Sequence, residues 1–315
     1  MKTKRLVGLY LLLAGFGILL MSCSNPDVRL GMGDGEGVRL SYRTIGKGPP
    51  VVVIHDGPGF EKSLMYGGFD PLRSDLRVIY YDQRGCGRSQ PLSPVMPATV
   101  EANVEDLEAL RRYFHLPQMS LAAHGWGAVI AIEYARKYGK YLDSMILITP
   151  LSPFSPGPRL ERVSDALSVE DRHRLFQITN HPQLSMLEKR ESMMRMLVPL
   201  LFHRKQGLDY VNLDEIRFAP DVNIRVNEDL KSMELLRQLP AVLVPTLVIV
   251  SRNDILTPMM DQMAYADGIR SSSAIVFNDS GHFPFLEERE LFINVAKEFL
   301  LHRELPTLVQ AGLAR

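Results

Sequence analysis

Residues 121–135 read "LAAHGWGAVIAIEYA". An apolar, small-residue run leads through a tight glycine turn into a segment with helical periodicity, so the pattern predicts a buried strand, a sharp turn and an amphipathic helix. Turns of this kind usually carry a serine nucleophile at their apex. The apex residue here is Gly125, which has no side chain to react.

The neighbouring segments repeat the strand–helix rhythm. "VVVIH" (51–55) and "RVIYYD" (77–82) are β-branched or aromatic runs bounded by turn residues. "TVEANVEDLEALRRYFHL" (99–116) sets Val100, Val104, Leu107, Leu110 and Phe114 on one helical face. "SMILIT" (144–149) is another strand. Strands alternating with helices predict an α/β fold with a mostly parallel, doubly wound sheet. At Pro150 the rhythm stops, because "PLSPFSPGPRL" cannot form a regular helix. From there to about Arg237 the chain is helical in pattern, and residues 151–237 read as an inserted helical cap. "VPTLVIVS" (244–251) and "SAIVFN" (273–278) resume the sheet, and "ERELFINVAKEFLLH" closes it with a helix.

The N-terminus reads differently. Lys2, Lys4 and Arg5 precede an uncharged run, Leu6 to Leu20, which ends in "LMSC". That is a signal-peptide pattern, and the last four residues resemble a bacterial lipobox with Cys23 as the lipidated residue. A spanning helix needs about 20 apolar residues, so the run is short for an uncleaved anchor. The reading is therefore a signal peptide over 1–22, a polar, glycine-rich tether over 23–37, core segments over 38–150 and 238–303 around the cap, and a tail over 304–315. Localisation follows as an exported bacterial lipoprotein of the cell envelope, held to the membrane through Cys23. With Cys23 lipidated, Cys86 is left without an intrachain disulfide partner.

The 315 residues are 46% hydrophobic and 23% charged, an ordinary globular composition. The formal net charge is zero, so the concentrated basic face of a nucleic-acid binder is not expected. No metal-ligand spacing or phosphate-binding glycine loop stands out, and no cofactor is expected.

The chemistry-bearing residues fall in the order elbow, acid, histidine. Asp254 follows one strand in "SRNDILTP", and His282 follows the next in "DSGHFPFLEE". In such an order the histidine takes the nucleophile's proton, and the acid holds the imidazole's tautomer. His55 and His124 flank turns and read as structural, as does Cys86. Ser120 lies at the far end of its strand and is a poor substitute nucleophile. Arg84 and Arg88 read as braces of a turn, and the methionines of "SMMRMLVPLLF" (192–202) as lid core.

Five motifs then carry a resemblance. "HDGPG" (55–59), "DQRGCGRS" (82–89), "HGWG" (124–127), "SRND" (251–254) and "SGH" (280–282) resemble, in order, the motifs of the proline iminopeptidases, over residues 38–303. The resemblance implies an α/β-hydrolase fold with a triad at positions 125, 254 and 282. It implies an oxyanion hole from the backbone N–H groups of Gly57 and Trp126. It also implies serine where Gly125 stands and glycine where Asp56 stands. Without Oγ, acyl-enzyme chemistry at 125 is impossible. An Asp56 carboxylate aimed into the pocket would oppose an oxyanion, and one aimed away would not. The family binds the substrate amine with acids of the cap. Here Glu188, Glu191, Asp214, Glu215, Glu228 and Asp229 are candidates, none matched to that site.

Four functions remain open on these residues. The first is a pseudoenzyme that binds a small molecule or peptide. The second is a hydrolase in which His282 and Asp254 activate water directly. The third is a serine hydrolase whose nucleophile was changed to glycine. The fourth, a purely structural lipoprotein, gives no reason for the Asp254–His282 pair.

Overall fold

The computed structural model describes residues 27–30, 37–154, 163, 165 and 167–304. The positions read as a signal peptide, Cys23 and the residues beyond 304 lie outside them. Among the described residues no helix is long and apolar enough to cross a membrane.

The sheet has eight strands: β1 (Asp27–Leu30), β2 (Val38–Ile45), β3 (Pro50–Ile54), β4 (Arg77–Tyr81), β5 (Met119–His124), β6 (Leu142–Ile148), β7 (Thr246–Ser251) and β8 (Ser272–Phe277). Their order is β1-β2-β4-β3-β5-β6-β7-β8. β1 and β2 pair antiparallel at one edge, and β3 to β8 are parallel. β1 falls within the stretch read as tether and pairs with β2 from Asp27–Ser41 to Leu30–Val38.

The central strands are buried on both faces, which explains their continuous apolar runs. Helices cover both faces. α1 (Val100–Tyr113) and α2 (Gly127–Tyr138) pack with one core layer, and α7 (Arg289–His302) with the other. Thr99 caps α1 by accepting from the Ala102 N–H at 3.1 Å. Val100, Val104, Leu107 and Leu110 are buried as their spacing predicts. α6 (Met259–Gly268) follows the acid loop.

The inserted segment contains α3 (Val169–Thr179), α4 (Met186–Leu197) and α5 (Pro220–Leu230). Leu197, Val198, Leu201 and Phe202 join the core layer that also holds Phe283 and Phe285, so this cap is fastened onto the sheet domain. Met194 and Met196 pack there too, in keeping with lid core.

Candidate active site

The parallel strands deliver their following loops to one edge of the sheet. β5 ends at His124, and the chain reverses at Gly125 with φ +53° before entering α2. That left-handed backbone is where glycine carries no Cβ penalty. β7 delivers Asp254 and β8 delivers His282. His282 Nδ1 and Asp254 Oδ2 are 2.8 Å apart. The other oxygen, Oδ1, accepts the N–H groups of Leu256 at 2.8 Å and Thr257 at 3.3 Å, which fixes the carboxylate toward the ring.

The decisive residue is Asp56, in the loop after β3. Its Oδ2 lies 3.0 Å from His282 Nε2, and its Oδ1 accepts the Trp126 N–H at 2.6 Å. A Cβ built on Gly125 would stand 2.0 Å from Asp56 Oδ1 and 2.3 Å from its Cγ. The carboxylate therefore fills the space a side chain at 125 would need. It also occupies one donor of the expected oxyanion hole. Gly57, the other expected source, lies beside the elbow, where a Cβ would sit 3.6 Å from Trp126 Cδ1. The sequence left the direction of Asp56 open, and the structure turns it inward.

His282 thus bridges two carboxylates while only 1% exposed, with Asp56 at 5% and Trp126 at 0%. Burial pulls the imidazole's pKa down. Asp254 and then Asp56 overcome that pull by charge and hydrogen bonding and raise it to about 10. At neutral pH the ring is an imidazolium with no lone pair for a proton. His124 behaves oppositely: burial, with the neighbouring His282 charge second, pushes it down to about 4. Its Nε2 lies 2.8 Å from the His282 carbonyl oxygen, so the neutral ring can donate there.

The surroundings hold these groups from several elements. Trp126 Nε1 donates to Gln83 Oε1 at 2.7 Å, and Gln83 Nε2 donates to the His55 carbonyl at 2.7 Å. His55 accepts the Gln83 N–H at Nε2 at 3.1 Å. Arg84 braces the same loop through both oxygens of Asp106, at 2.8 and 2.7 Å. Arg88 contributes its backbone N–H, to Asp82, and its side chain is exposed. Cys86 is fully buried, and burial raises its thiol pKa, so it is not a ready thiolate. Ser120 is buried 3.0 Å from Ser144 Oγ, away from the elbow.

Glu287 had no signal in the sequence beyond an acid in an apolar stretch. Its Oε1 accepts the N–H groups of Gly281 and Phe283, and its Oε2 that of Arg204. With His282 N–H donating to the Leu201 carbonyl at 2.8 Å, it ties the histidine loop to the cap.

The six cap acids separate by role. Glu188 completes the N-terminal capping box of α4, Glu228 pairs with Lys231 at the surface, and Asp229 accepts the Val100 N–H at the start of α1. Glu191, Asp214 and Glu215 line a cavity of about 590 Å³ with Glu61, Arg88 and Arg217. Asp254 and His282 do not line it. Among the described residues, Asp56, His124 and His282 also form a group that could hold a metal ion, their donor atoms all within 4.8 Å of one another.

The comparisons agree with this fold. Residues 49–289 match the family described as alpha/beta hydrolase fold. A proline iminopeptidase of Saccharolobus solfataricus is 26% identical over 82% of this chain and 87% of its own. One from Lactobacillus helveticus is 29% identical over 84% of this chain and 95% of its own. An esterase from Thermogutta terrifontis, solved with malate bound, superposes with a TM-score of 0.68 at 24% identity, covering 88% of this chain and 98% of its own. With the motif match, the eight-stranded sheet and the loop order agreeing, the chain belongs to the alpha/beta hydrolase fold family and resembles its proline iminopeptidases.

Proposed function

We propose that this protein is an exported, Cys23-anchored lipoprotein in which a proline-iminopeptidase-like scaffold has lost serine hydrolysis and acts by binding. The observation that carries this reading is Asp56. Its carboxylate fills the volume of a side chain at 125, takes the Trp126 N–H and pairs with His282. The space of a nucleophile, one oxyanion donor and the base are all engaged by one residue. Loss of a nucleophile alone costs on the order of 10⁶ in kcat in subtilisin.

Direct water activation by His282 fits less well. The space beside the ring holds a carboxylate, and the ring's pKa of about 10 keeps it protonated at pH 7. An isolated replacement of serine by glycine also fits less well. A serine at 125 would collide with Asp56 unless that carboxylate gave up both of its bonds. Gly125 and Asp56 make sense as a pair. The 590 Å³ cavity between the loop after β3 and the cap is the natural place for a small-molecule or peptide ligand.

The test is hydrolysis of proline p-nitroanilide and short p-nitrophenyl esters by the native chain, Gly125→Ser, Asp56→Gly and the double variant. Only the double variant should turn over substrate. His282-dependent turnover by the native chain would overturn the reading.

A further inference from the structure

We infer that Asp56, His124 and His282 form a binding site for a late first-row divalent cation, best matched by Zn²⁺. The inference goes beyond the proposed loss of serine hydrolysis and does not depend on it. It rests on where three donors meet.

Asp56 Oδ2 and His282 Nε2 are 3.0 Å apart, and a His124 nitrogen lies within 4.8 Å of both. Ligands at 2.0–2.2 Å around a tetrahedral ion stand roughly 3.3–3.6 Å from one another. The first pair needs only a few tenths of an ångström of spreading. The third ligand needs an approach of at most about 1.5 Å, within reach of a side-chain adjustment. All three residues are buried.

The outer partners are those a metal-ligating set requires. A ligating histidine almost always gives its second ring N–H to a carboxylate or carbonyl, which fixes the ring. His282 Nδ1 has Asp254 at 2.8 Å, and Asp254 is itself held by two backbone N–H groups. Asp56 has its second oxygen on the Trp126 N–H. The donor set has two imidazoles and one carboxylate. That composition suits zinc, cobalt, nickel or copper and is poor for calcium or magnesium, which want more oxygen. Coulomb's law points the same way. Two carboxylates converge on the His282 ring, and a divalent ion that takes Nε2 in exchange for its proton, released to solvent, would put two positive charges there in place of one. Three protein ligands would leave a fourth position for water or a ligand donor.

The experiment uses the full chain in detergent, stripped with a chelator. Zinc is titrated calorimetrically, and cobalt is followed by its visible absorption. The inference expects one saturable zinc site and a cobalt spectrum without a thiolate charge-transfer band. Asp56→Asn and His124→Gln should each weaken zinc at least tenfold, and Asp254→Asn tenfold to a hundredfold through its grip on His282. Anomalous diffraction at the zinc edge should place the ion against Asp56 and His282, a readout that needs no variant to fold. Absence of a saturable site in the native chain would overturn the inference. So would an ion located elsewhere, or affinity unchanged in a folded Asp56→Asn.

Discussion

At Asp56 a carboxylate faces the His282 imidazole from the place where a hydroxyl would be expected, and two consequences belong to this scale. The first concerns protons. Asp56→Asn removes one of the two acids that raise His282, so its pKa should fall from about 10, as read by NMR titration of the ring. The native pair also makes stability depend on pH. His282 is raised above its unfolded value of about 6.5, so its contribution is complete below that pH and is lost as pH climbs toward 10. His124 is depressed to about 4, so its contribution is complete above about 6.5 and is lost as pH falls toward 4. Denaturant midpoints measured from pH 4 to 10 should fall on both sides, and a rise through the alkaline arm would contradict the ion pair. The second consequence concerns space. Gly125→Ala should cost at least about 1–2 kcal/mol from the left-handed backbone alone, with the clash against Asp56 added. Chemical denaturation checks it. Asp254 and His282 were legible in the chain because each follows a strand-like run in triad order. The direction of Asp56 was not legible, since a short side chain's rotamer is set by neighbours about 70 and 226 residues away.

Among the elements, the histidine loop and the cap segment 198–204 form one unit. Phe202 stacks on Phe283 with ring centres 4.6 Å apart, Leu201 accepts the His282 N–H, and Glu287 collects N–H groups from both sides. Glu287→Ala would leave those buried donors without acceptors, at about 1–3 kcal/mol. The expected result is a lower melting temperature with faster amide exchange at Gly281, Phe283 and Arg204 together. Protection lost at only one of the three would separate loop from cap. This unit was invisible to periodicity, because it is built from short turns and side chain–backbone bonds between distant segments. The long elements were plain by contrast: α1 shows its apolar face and acid-to-base polarity, and the central strands show unbroken apolar runs.

At the scale of the whole molecule, a family fold and a filled site stand beside the proposed anchor at Cys23. The anchor is tested apart from the chemistry: Cys23→Ser should move the protein from the detergent-extracted membrane fraction to the soluble fraction, and retention in the membrane would contradict lipid attachment. The central claim is that Asp56 and Gly125 together replace a nucleophile and its oxyanion hole. The most direct measurement is intact-mass detection of a fluorophosphonate adduct on the native chain, Gly125→Ser, and Gly125→Ser with Asp56→Gly. An adduct is expected on the double variant and none on the native chain, with Gly125→Ser alone labelled at least a hundredfold more slowly than the double. Labelling of the native chain, or of Gly125→Ser as fast as the double variant, would contradict it.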